Sequence, residues 1–380
     1  MGLLGLSGCG SPSSASMEMS SQVSTEADAT VAEQTELVKT GSMELQYAEN
    51  FTVDYYEGGY KLLTTLPDDK RYLLVPEGQG VPADLDEDIC VLQEPLQNIY
   101  LVASGVMDMF ASLDAVGQIR FSGQKQENWY IQTAKDAMAA GNMIYAGKYS
   151  KPDYELLVSE GCDLTIENRM ITHSPEVVEM LQSFDIPVMI EYSSYEQHPL
   201  GKVEWVKFFG ALTGQEVEAE EAFAEQTEIL EKVESGEKTG KTIAFFYVTS
   251  NGLIQVRQST DYIPKLIELA GGRYIFEDLE DSGSGRSTLN MQIEDFYAGA
   301  KDADILIYNS SIDGGVTTVD ELIGKCNILK DFKALQEGQV YCTTNDMYQQ
   351  SMAIGYLLQD MHTVLTDDDT AKLRYLFLLQ

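Results

Sequence analysis

The sequence predicts an α/β protein of two lobes, each a mostly parallel sheet with helices on both faces, joined by a long helix. Short apolar segments alternate with helical segments over 98–192, and the same alternation returns over 241–380. Alternation of this kind is typical of parallel sheets that are covered by helices. Two consecutive helical patterns over 199–234 separate the two halves, so we expect the lobes to meet around them.

The central pair of helices is the feature around which the two halves are arranged. The first helix is predicted over 202–213, and Gly214 after it suits the left-handed residue that often ends a helix. The second is predicted over 217–233, with apolar residues on one face and glutamates on the rest. We assign 215–237 to a backbone helix between the lobes. The alternative is an ordinary surface helix in one large domain.

The first lobe is assigned to 43–214. It begins with short alternating strands over 43–75 that are separated by glycine and proline turns, a pattern that predicts a β-meander. Further on, Ser174 and Pro175 suit the N-cap and the first position of a helix. The other predicted strands of this lobe are 99–102, 116–121, 163–166 and 186–190, and the predicted helices are 106–113, 129–140, 154–159 and one that starts at 175.

The second lobe is assigned to 238–380 and repeats the scheme of the first. Its first strand is strongly apolar, as expected for a strand that is buried on both faces. The predicted strands are 242–248, 273–275, 304–308 and 339–342, and the predicted helices are 261–270, 293–300, 319–323, 331–335 and 352–364.

Composition limits the classes of partner. The chain has 380 residues, which favours two domains, and 44% of them are hydrophobic. Its formal net charge is −36, from 25 basic and 61 acidic residues. A surface so negative repels nucleic acid and anionic membranes and suits a monomeric protein. No apolar run reaches the ~20 residues of a membrane span.

The N-terminal residues predict a lipid anchor. Leu6-Ser7-Gly8-Cys9 resembles a bacterial lipobox, in which the cysteine is lipidated, although no Lys or Arg precedes it. We assign 1–9 to a partial signal and 10–42, which is rich in small and polar residues, to a disordered tether. The expected location is extracytoplasmic, with the membrane contacted by the lipid anchor only. The alternative is a chance cysteine in a flexible terminus.

The remaining cysteines carry no metal-site pattern. They are widely spaced, and no CxxC pair occurs, so the sequence leaves free thiols or up to two disulfides open. These four residues are Cys90, Cys162, Cys326 and Cys342.

Short motifs in a fixed order indicate a family. They lie at 148–155, 161–166, 185–188, 209–214, 267–272, 292–294, 302–307, 332–335 and 338–341. The segment Ile267-Glu268-Leu269-Ala270-Gly271-Gly272, for example, is similar to an "i-e-l-A-G-G" motif. Together they resemble the substrate-binding proteins of ABC importers for ferric siderophores, haem or cobalamin, over nearly the whole chain after the tether.

The resemblance implies two Rossmann-like lobes with a ligand cleft between them and a nearly rigid backbone helix. It also implies partners, namely an ABC permease with its ATPase and a small-molecule metal chelate. One exposed glutamate on each lobe, Glu155 and Glu294, would dock onto the permease. The alternative for each glutamate is a solvated residue at a helix start, where the helix dipole favours a negative charge.

Ligand-contacting residues are predicted from the rule that ligands lie outside the carboxyl ends of strands in open α/β sheets. Tyrosine gives contact area at low entropic cost, and arginine can pair with an anionic oxygen. Any single tyrosine or methionine in this set could instead belong to a lobe core. The predicted residues are Ser104, Met107, Arg120, Phe121, Tyr149, Asn168, Arg169, Tyr192, Gln255, Arg257, Asn309, Ser310, Met347 and Tyr348.

The ligand itself is weakly determined. Catecholate chelates usually need a cluster of cations, and the candidates here are Arg120, Arg169 and Arg257 in a strongly negative chain. This favours a neutral or zwitterionic hydroxamate chelate or a corrinoid. Haem, which needs an axial His, Tyr or Met, stays open. No cofactor and no directly bound metal is expected, since the three histidines have no diagnostic spacing.

Two other classes of function were weighed. An enzyme would be indicated by a P-loop, HExxH, GxSxG or CxxC motif, and none occurs in the sequence. A surface-anchored interaction protein would share the tether and the lipid, but internal repeats would favour it, and we find none.

Overall fold

The computed structural model describes residues 37–279, 287–310 and 315–380, and these described residues form one compact unit. Cys9, the partial signal and most of the predicted tether lie outside the described residues. The tether prediction over 10–42 extends too far, because Lys39–Ser42 forms a strand. This strand pairs with the next one, which satisfies its backbone groups without burying its side chains.

A five-stranded, largely antiparallel sheet opens the first lobe and includes the predicted β-meander. Its second strand alternates buried and half-buried residues from Phe51, as expected for a sheet with one face on the core. The last strand pairs in parallel with the fourth and was not predicted. The strands are β1 (Lys39–Ser42), β2 (Phe51–Tyr56), β3 (Lys61–Thr65), β4 (Lys70–Val75) and β5 (Ile89–Gln93).

A second sheet of the first lobe is fully parallel and has the order β12-β11-β6-β7-β8. Its strands are β6 (Ile99–Leu101), β7 (Ile119–Ser122), β8 (Ile144–Tyr145), β11 (Leu164–Asn168) and β12 (Val188–Glu191), and a small hairpin joins β9 (Gly147–Lys148) to β10 (Lys151–Pro152). The helices are α1 (Val106–Ser112), α2 (Gln132–Ala139), α3 (Tyr154–Ser159) and α4 (Pro175–Ser183).

The central pair of helices is α5 (Pro199–Thr213) and α6 (Glu216–Glu234), close to the predicted bounds. Gly214 has a φ of 74° and ends α5 in the left-handed conformation, as predicted. The assignment of 43–214 places α5 in the first lobe, but α5 contacts both lobes. Nearly every residue of α5 is buried, and it contacts α1 of the first lobe as well as α7 and α11 of the second.

The second lobe has one mixed sheet of seven strands. Its parallel strands are β13 (Thr242–Val248), β15 (Arg273–Tyr274), β17 (Ile305–Tyr308) and β18 (Val340–Thr343). Antiparallel strands that were not predicted flank them, namely β14 (Ile254–Arg257), β16 (Thr288–Met291) and β19 (Leu376–Leu378). The helices are α7 (Tyr262–Leu269), α8 (Ile293–Ala300), α9 (Val319–Lys325), α10 (Lys333–Gln336) and α11 (Ile354–Thr366).

The predicted fold class is therefore confirmed: the protein is α/β, with parallel sheets and helices in two lobes. One continuous hydrophobic core runs from the first sheet through α5 and α6 to α7 and α11. Helix α6 packs on both α5 and α11, so it contacts both lobes. Within the described ranges, no helix is both long enough and apolar enough to cross a membrane.

Candidate functional site

A cavity of about 300 Å³ lies between the two lobes. On one side it is formed by the loops that follow β6, β11 and β12, neighbouring parallel strands whose carboxyl ends meet at one sheet edge. The other lobe contributes the end of β14, the start of α7 and the loop after β18. The lining residues are Ala103, Ser104, Gly105, Asn168, Arg169, Met170, Glu191, Ser194, Tyr195, Lys202, Arg257, Tyr262, Ser287, Met347 and Tyr348.

Six of the fourteen predicted ligand-contacting residues line this cavity. They come from both lobes. Five lie at or after the carboxyl end of a parallel strand, as the strand-end rule predicts, and Arg257 is the last residue of the antiparallel strand β14. They are Ser104, Asn168, Arg169, Arg257, Met347 and Tyr348. Their contact with a ligand stays a prediction.

Four predicted residues of the first lobe belong to its core instead. Met107 and Phe121 are fully buried, one in α1 and one in β7. Tyr192 is 6% exposed and packs on the central core, and Tyr149 packs on the core under α3 and α4. Aromatic and methionine side chains near strand ends serve packing as readily as binding, and the sequence does not distinguish the two roles.

The other four predicted residues also lie away from the cavity. Arg120 is held on the first lobe by Glu160, 2.9 Å away, and by two backbone carbonyls. Gln255 points to Asn290 on the neighbouring strand. Asn309 and Ser310 are buried, and Ser310 bonds to Thr343 of the adjacent strand. These side chains satisfy local polar groups, which sequence alone cannot reveal.

Several lining residues were not predicted, above all Tyr195, Lys202 and Tyr262. Lys202 lies in the first turn of α5, which starts three residues earlier than predicted, at Pro199. Proline at the first helical position was the available signal. A helix that follows a parallel strand begins near that strand's carboxyl end, so its first turn faces the same edge as the strand-end loops.

Three cations converge on the cavity in a strongly acidic protein. The guanidinium of Arg169 lies 4.8 Å from the ring centre of Tyr195, and the ammonium of Lys202 lies 4.6 Å from that of Tyr262. Both distances are within the range of cation–π attraction. Arg257 lies 3.4 Å from a carboxylate oxygen of Asp261.

Buried carboxyl groups surround the floor of the cavity. Glu191 is a lining residue whose carboxylate accepts bonds from the backbone and hydroxyl of Ser193, and burial raises its pKa. Burial also raises the pKa of Asp261, although Arg257 opposes the shift. Burial raises the pKa of Asp108 to about 6, although a hydrogen bond from the Met352 backbone opposes the shift.

Large half-exposed side chains form the rim of the cavity. Met170, Tyr195 and Tyr348 are 49%, 39% and 37% exposed, and Tyr130 beside them is 43% exposed. The rings of Tyr130 and Tyr348 come from opposite lobes and meet edge to face at 6.4 Å. Exposed apolar groups of this kind, grouped at one concave site, mark a binding surface.

Two polar contacts fix the lobes to each other beside the cavity. The side chain of Gln349 accepts a bond from the Tyr130 backbone at 2.7 Å and donates one to the Asn128 carbonyl at 2.8 Å. Asp108 accepts the Met352 backbone N–H at 2.7 Å. Gln349 is fully buried, so these bonds are shielded from water and help to set the distance between the lobes.

The residues predicted for permease docking are both exposed in the first turn of a helix, Glu155 in α3 and Glu294 in α8. Their docking role stays a prediction. Three of the cysteines, Cys90, Cys162 and Cys326, are unpaired thiols. Among the described residues, no group of three or more His, Cys, Asp or Glu side chains could hold a metal ion.

Comparison with known proteins places the fold. No family model matches the chain. The chain is 24% identical over 353 residues to an uncharacterized lipoprotein of Methanocaldococcus jannaschii, covering 84% of this chain and 81% of the relative.

Two solved structures share the fold. A periplasmic heme binding protein of Vibrio cholerae matches with a TM-score of 0.56 at 15% identity, covering 70% of this chain and 98% of its own. An ABC-type Fe³⁺-hydroxamate transport system protein of Saccharomonospora viridis matches with a TM-score of 0.55 at 16% identity, covering 71% and 93%. At these identities the likeness shows the fold alone, an α/β fold with parallel sheets and helices that these two proteins share with the chain.

Proposed function

We propose that the protein is an extracytoplasmic substrate-binding protein that captures an iron-siderophore-type chelate and delivers it to an ABC permease. The observation that carries the proposal is the cavity between the lobes, which combines an aromatic rim with three cations. A rigid chelate needs such a surface, because aromatic side chains supply contact area at low entropic cost and cations orient its oxygens. The fold of the two solute-binding neighbours supports the proposal.

The location follows from the same proposal. A lipid on Cys9 would hold the protein at the outer face of the cell membrane, and the residues up to β1 would act as the tether. The lipoprotein of Methanocaldococcus jannaschii supports this arrangement. Mass spectrometry of the mature N-terminus tests it: a diacylglyceryl adduct on Cys9 is expected, and an unmodified Cys9 in membrane fractions would contradict it.

Ligand capture is tested by titrating the purified protein with four probes and following its tyrosine and tryptophan fluorescence. The probes are a ferric tris-catecholate, a ferric trihydroxamate, haem and cyanocobalamin. Saturable quenching by one probe at one-to-one stoichiometry is expected, since coloured chelates accept energy from the tyrosines that line the cavity. Absence of saturable binding to all four probes would contradict the proposed function.

Haem is the second candidate ligand, because Met170, Tyr195, Met347 and Tyr348 line the cavity. Tyrosine and methionine are both known axial ligands of haem iron. Haem binding would give a Soret band whose position changes on replacing the axial residue. A Soret band that is unchanged in Tyr195→Phe and Tyr348→Phe would exclude axial ligation by these two tyrosines.

Delivery is tested by the variants Glu155→Ala and Glu294→Ala. Both side chains are exposed on different lobes and lie outside the cavity, so ligand affinity is expected to stay within about twofold while uptake by cells with the permease falls. Each exposed ion pair is worth only ~0–1 kcal/mol, so uptake should fall furthest in the double variant. Glu218→Ala, an exposed first-turn glutamate of α6, is the matched control. Unchanged uptake in the double variant would overturn the docking role.

A further inference from the structure

Lys202 is a buried lysine that faces the cavity. It is 7% exposed, lies in the first turn of α5, and borders the cavity where the two lobes meet. Removing an ammonium group from water is costly unless a charged partner or hydrogen-bond acceptor replaces the lost hydration. The surroundings of the Lys202 ammonium group therefore indicate the charge of the group that it binds.

Lys202 has no ion-pair partner in the part of the chain that the structure describes. No carboxylate oxygen there lies within 4.0 Å of its Nζ atom, and its closest charge-stabilising contact is the Tyr262 ring. The other buried lysine of α5 is different. The Nζ atom of Lys207 lies 3.5 Å from Glu204 and 3.0 Å from Glu220. Helix α5 thus pairs Lys207, which faces the protein interior, with carboxylates. Lys202, which faces the cavity, has no carboxylate partner among the described residues.

The carboxyl groups that act on Lys202 from a distance have other partners. Asp108 on α1 accepts the Met352 backbone, Glu191 at the end of β12 accepts Ser193, and Asp261 before α7 accepts the Ile263 backbone and pairs with Arg257. None of the three forms an ion pair with Lys202 within 4.0 Å. The described lining of the cavity carries three cations, Arg169, Lys202 and Arg257, and one carboxyl group, that of Glu191, although the whole chain carries −36.

We propose that Lys202 binds an anionic oxygen of the ligand, so that the cleft selects chelates that carry negative charge on their surface. This rests on the proposed function and assigns the charge of its ligand. It replaces the expectation of a neutral chelate, which was drawn from the net charge of the chain. Inside a cavity, the charges within a few ångströms dominate because the surroundings screen them less than water does.

The test compares Lys202→Met and Lys202→Arg with the unaltered protein, using the ferric tris-catecholate as the anionic probe and the ferric trihydroxamate as the neutral one. Lys202→Met removes the charge and keeps an unbranched side chain. It is expected to weaken binding of the anionic probe about tenfold or more, since bonds to charged groups are the strong ones. Binding of the neutral probe should change less than about twofold, and Lys202→Arg should retain most of the anion affinity.

Lys372→Met is the matched control, because it removes one positive charge from a residue whose side chain is 82% exposed. Its affinities should equal those of the unaltered protein. Loss of a buried charge without an ion-pair partner should not lower the thermal midpoint of Lys202→Met, so a folding defect is distinguishable by melting curves. Equal anion affinity in Lys202→Met, or a preference of the unaltered protein for the neutral probe, would overturn the inference and leave the proposed function standing. Binding of no probe by the unaltered protein would overturn both.

Discussion

Glu167 lies wholly inside the first lobe, and neither of its carboxyl oxygens has a hydrogen-bond partner among the described residues. It shares a face of β11 with Thr165, whose hydroxyl is also unsatisfied, because alternate residues of a strand point the same way. Burial raises the pKa of Glu167 to about 8. The carboxyl group is therefore protonated in the folded protein at neutral pH.

This predicts a stability that falls as pH rises. Below pH 4.5 both folded and unfolded states carry a protonated Glu167, and between pH 4.5 and about 8 only the unfolded state ionises. The folded state then binds more protons, so the free energy of unfolding drops by up to about 1.4 kcal/mol per pH unit over this window. Above it, both states are ionised and the loss stops.

Glu167→Gln removes this titration. The difference in unfolding free energy between the variant and the unaltered protein should shift in favour of the variant from pH 5 to pH 8, as measured by urea denaturation. Glu179→Gln, an exposed residue of α4, should show no such shift. A constant difference across the pH range would mean that Glu167 is ionised, or otherwise satisfied, in the fold.

At the residue scale, the sequence predicts some of the residues that line the cavity and misses others. Arg169 directly follows the parallel strand β11, so the general rule for α/β sheets found it, whereas Arg257 ends the antiparallel strand β14. Arg120 lies inside β7 and binds Glu160, a residue forty positions away that no local pattern indicates. Lys202 was not predicted, because its position beside the cavity depends on how α5 packs between the lobes. That packing is a tertiary property, which the local sequence does not indicate.

At the scale of elements, helix packing at the centre depends on two glycines. A Cβ atom on Gly210 of α5 would lie 2.6 Å from the Cβ atom of Ala219 on α6. One on Gly355 of α11 would lie 2.8 Å from the side-chain oxygen of Gln226 on α6. The glycines let α6 approach a helix on each side, so α6 is fixed between α5 and α11.

Gly210→Ala is expected to lower the free energy of unfolding by roughly 1–3 kcal/mol, the usual cost of overpacking a core. Gly324→Ala in α9 is the matched control, because nothing lies within 4 Å of the added atom. There the change should stabilise by about 0.5–1 kcal/mol, since alanine has less unfolded-state freedom than glycine. Chemical denaturation measures both. Equal effects of the two substitutions would contradict close packing between α5 and α6.

Elements were predicted well where the pattern is local and poorly where it is not. The central strands β13 and β17 are buried apolar runs, α5 ends at Gly214, and α6 has one apolar face, so the sequence located them. The edge strands β16 and β19 have mixed composition, and each pairs with a strand that lies far away in the sequence. Their pairing is non-local, which is why these strands of the second lobe were not predicted.

At the scale of the whole molecule, the lobes share one continuous core and the helix α6, which contacts both. Hydrophobic packing continues from Phe51 of the first sheet to Leu376 near the end of the chain. The buried Gln349 and Asp108 contacts add polar ties between the lobes. Closure around a ligand should therefore be small, because a continuous helix bends gently and hinges only at an identifiable break.

The charge distribution of the whole molecule fits the same account. The net charge of −36 keeps the surface negative, while Arg169, Lys202 and Arg257 make the cavity a local exception. A cavity with low-dielectric walls focuses the field of its own charges. The net charge of the chain therefore does not describe the charges that line the cavity.

The most direct test of the central claim is the position of the metal in crystals of the protein grown with the chelate that binds most tightly in solution. Anomalous scattering at the iron edge locates the metal without reference to the fitted atoms. The account predicts one strong peak in the cavity between Tyr195 of the first lobe and Tyr348 of the second, with Lys202 against the chelate. A peak elsewhere on the protein, or saturable binding in solution with no density in this cavity, would contradict it.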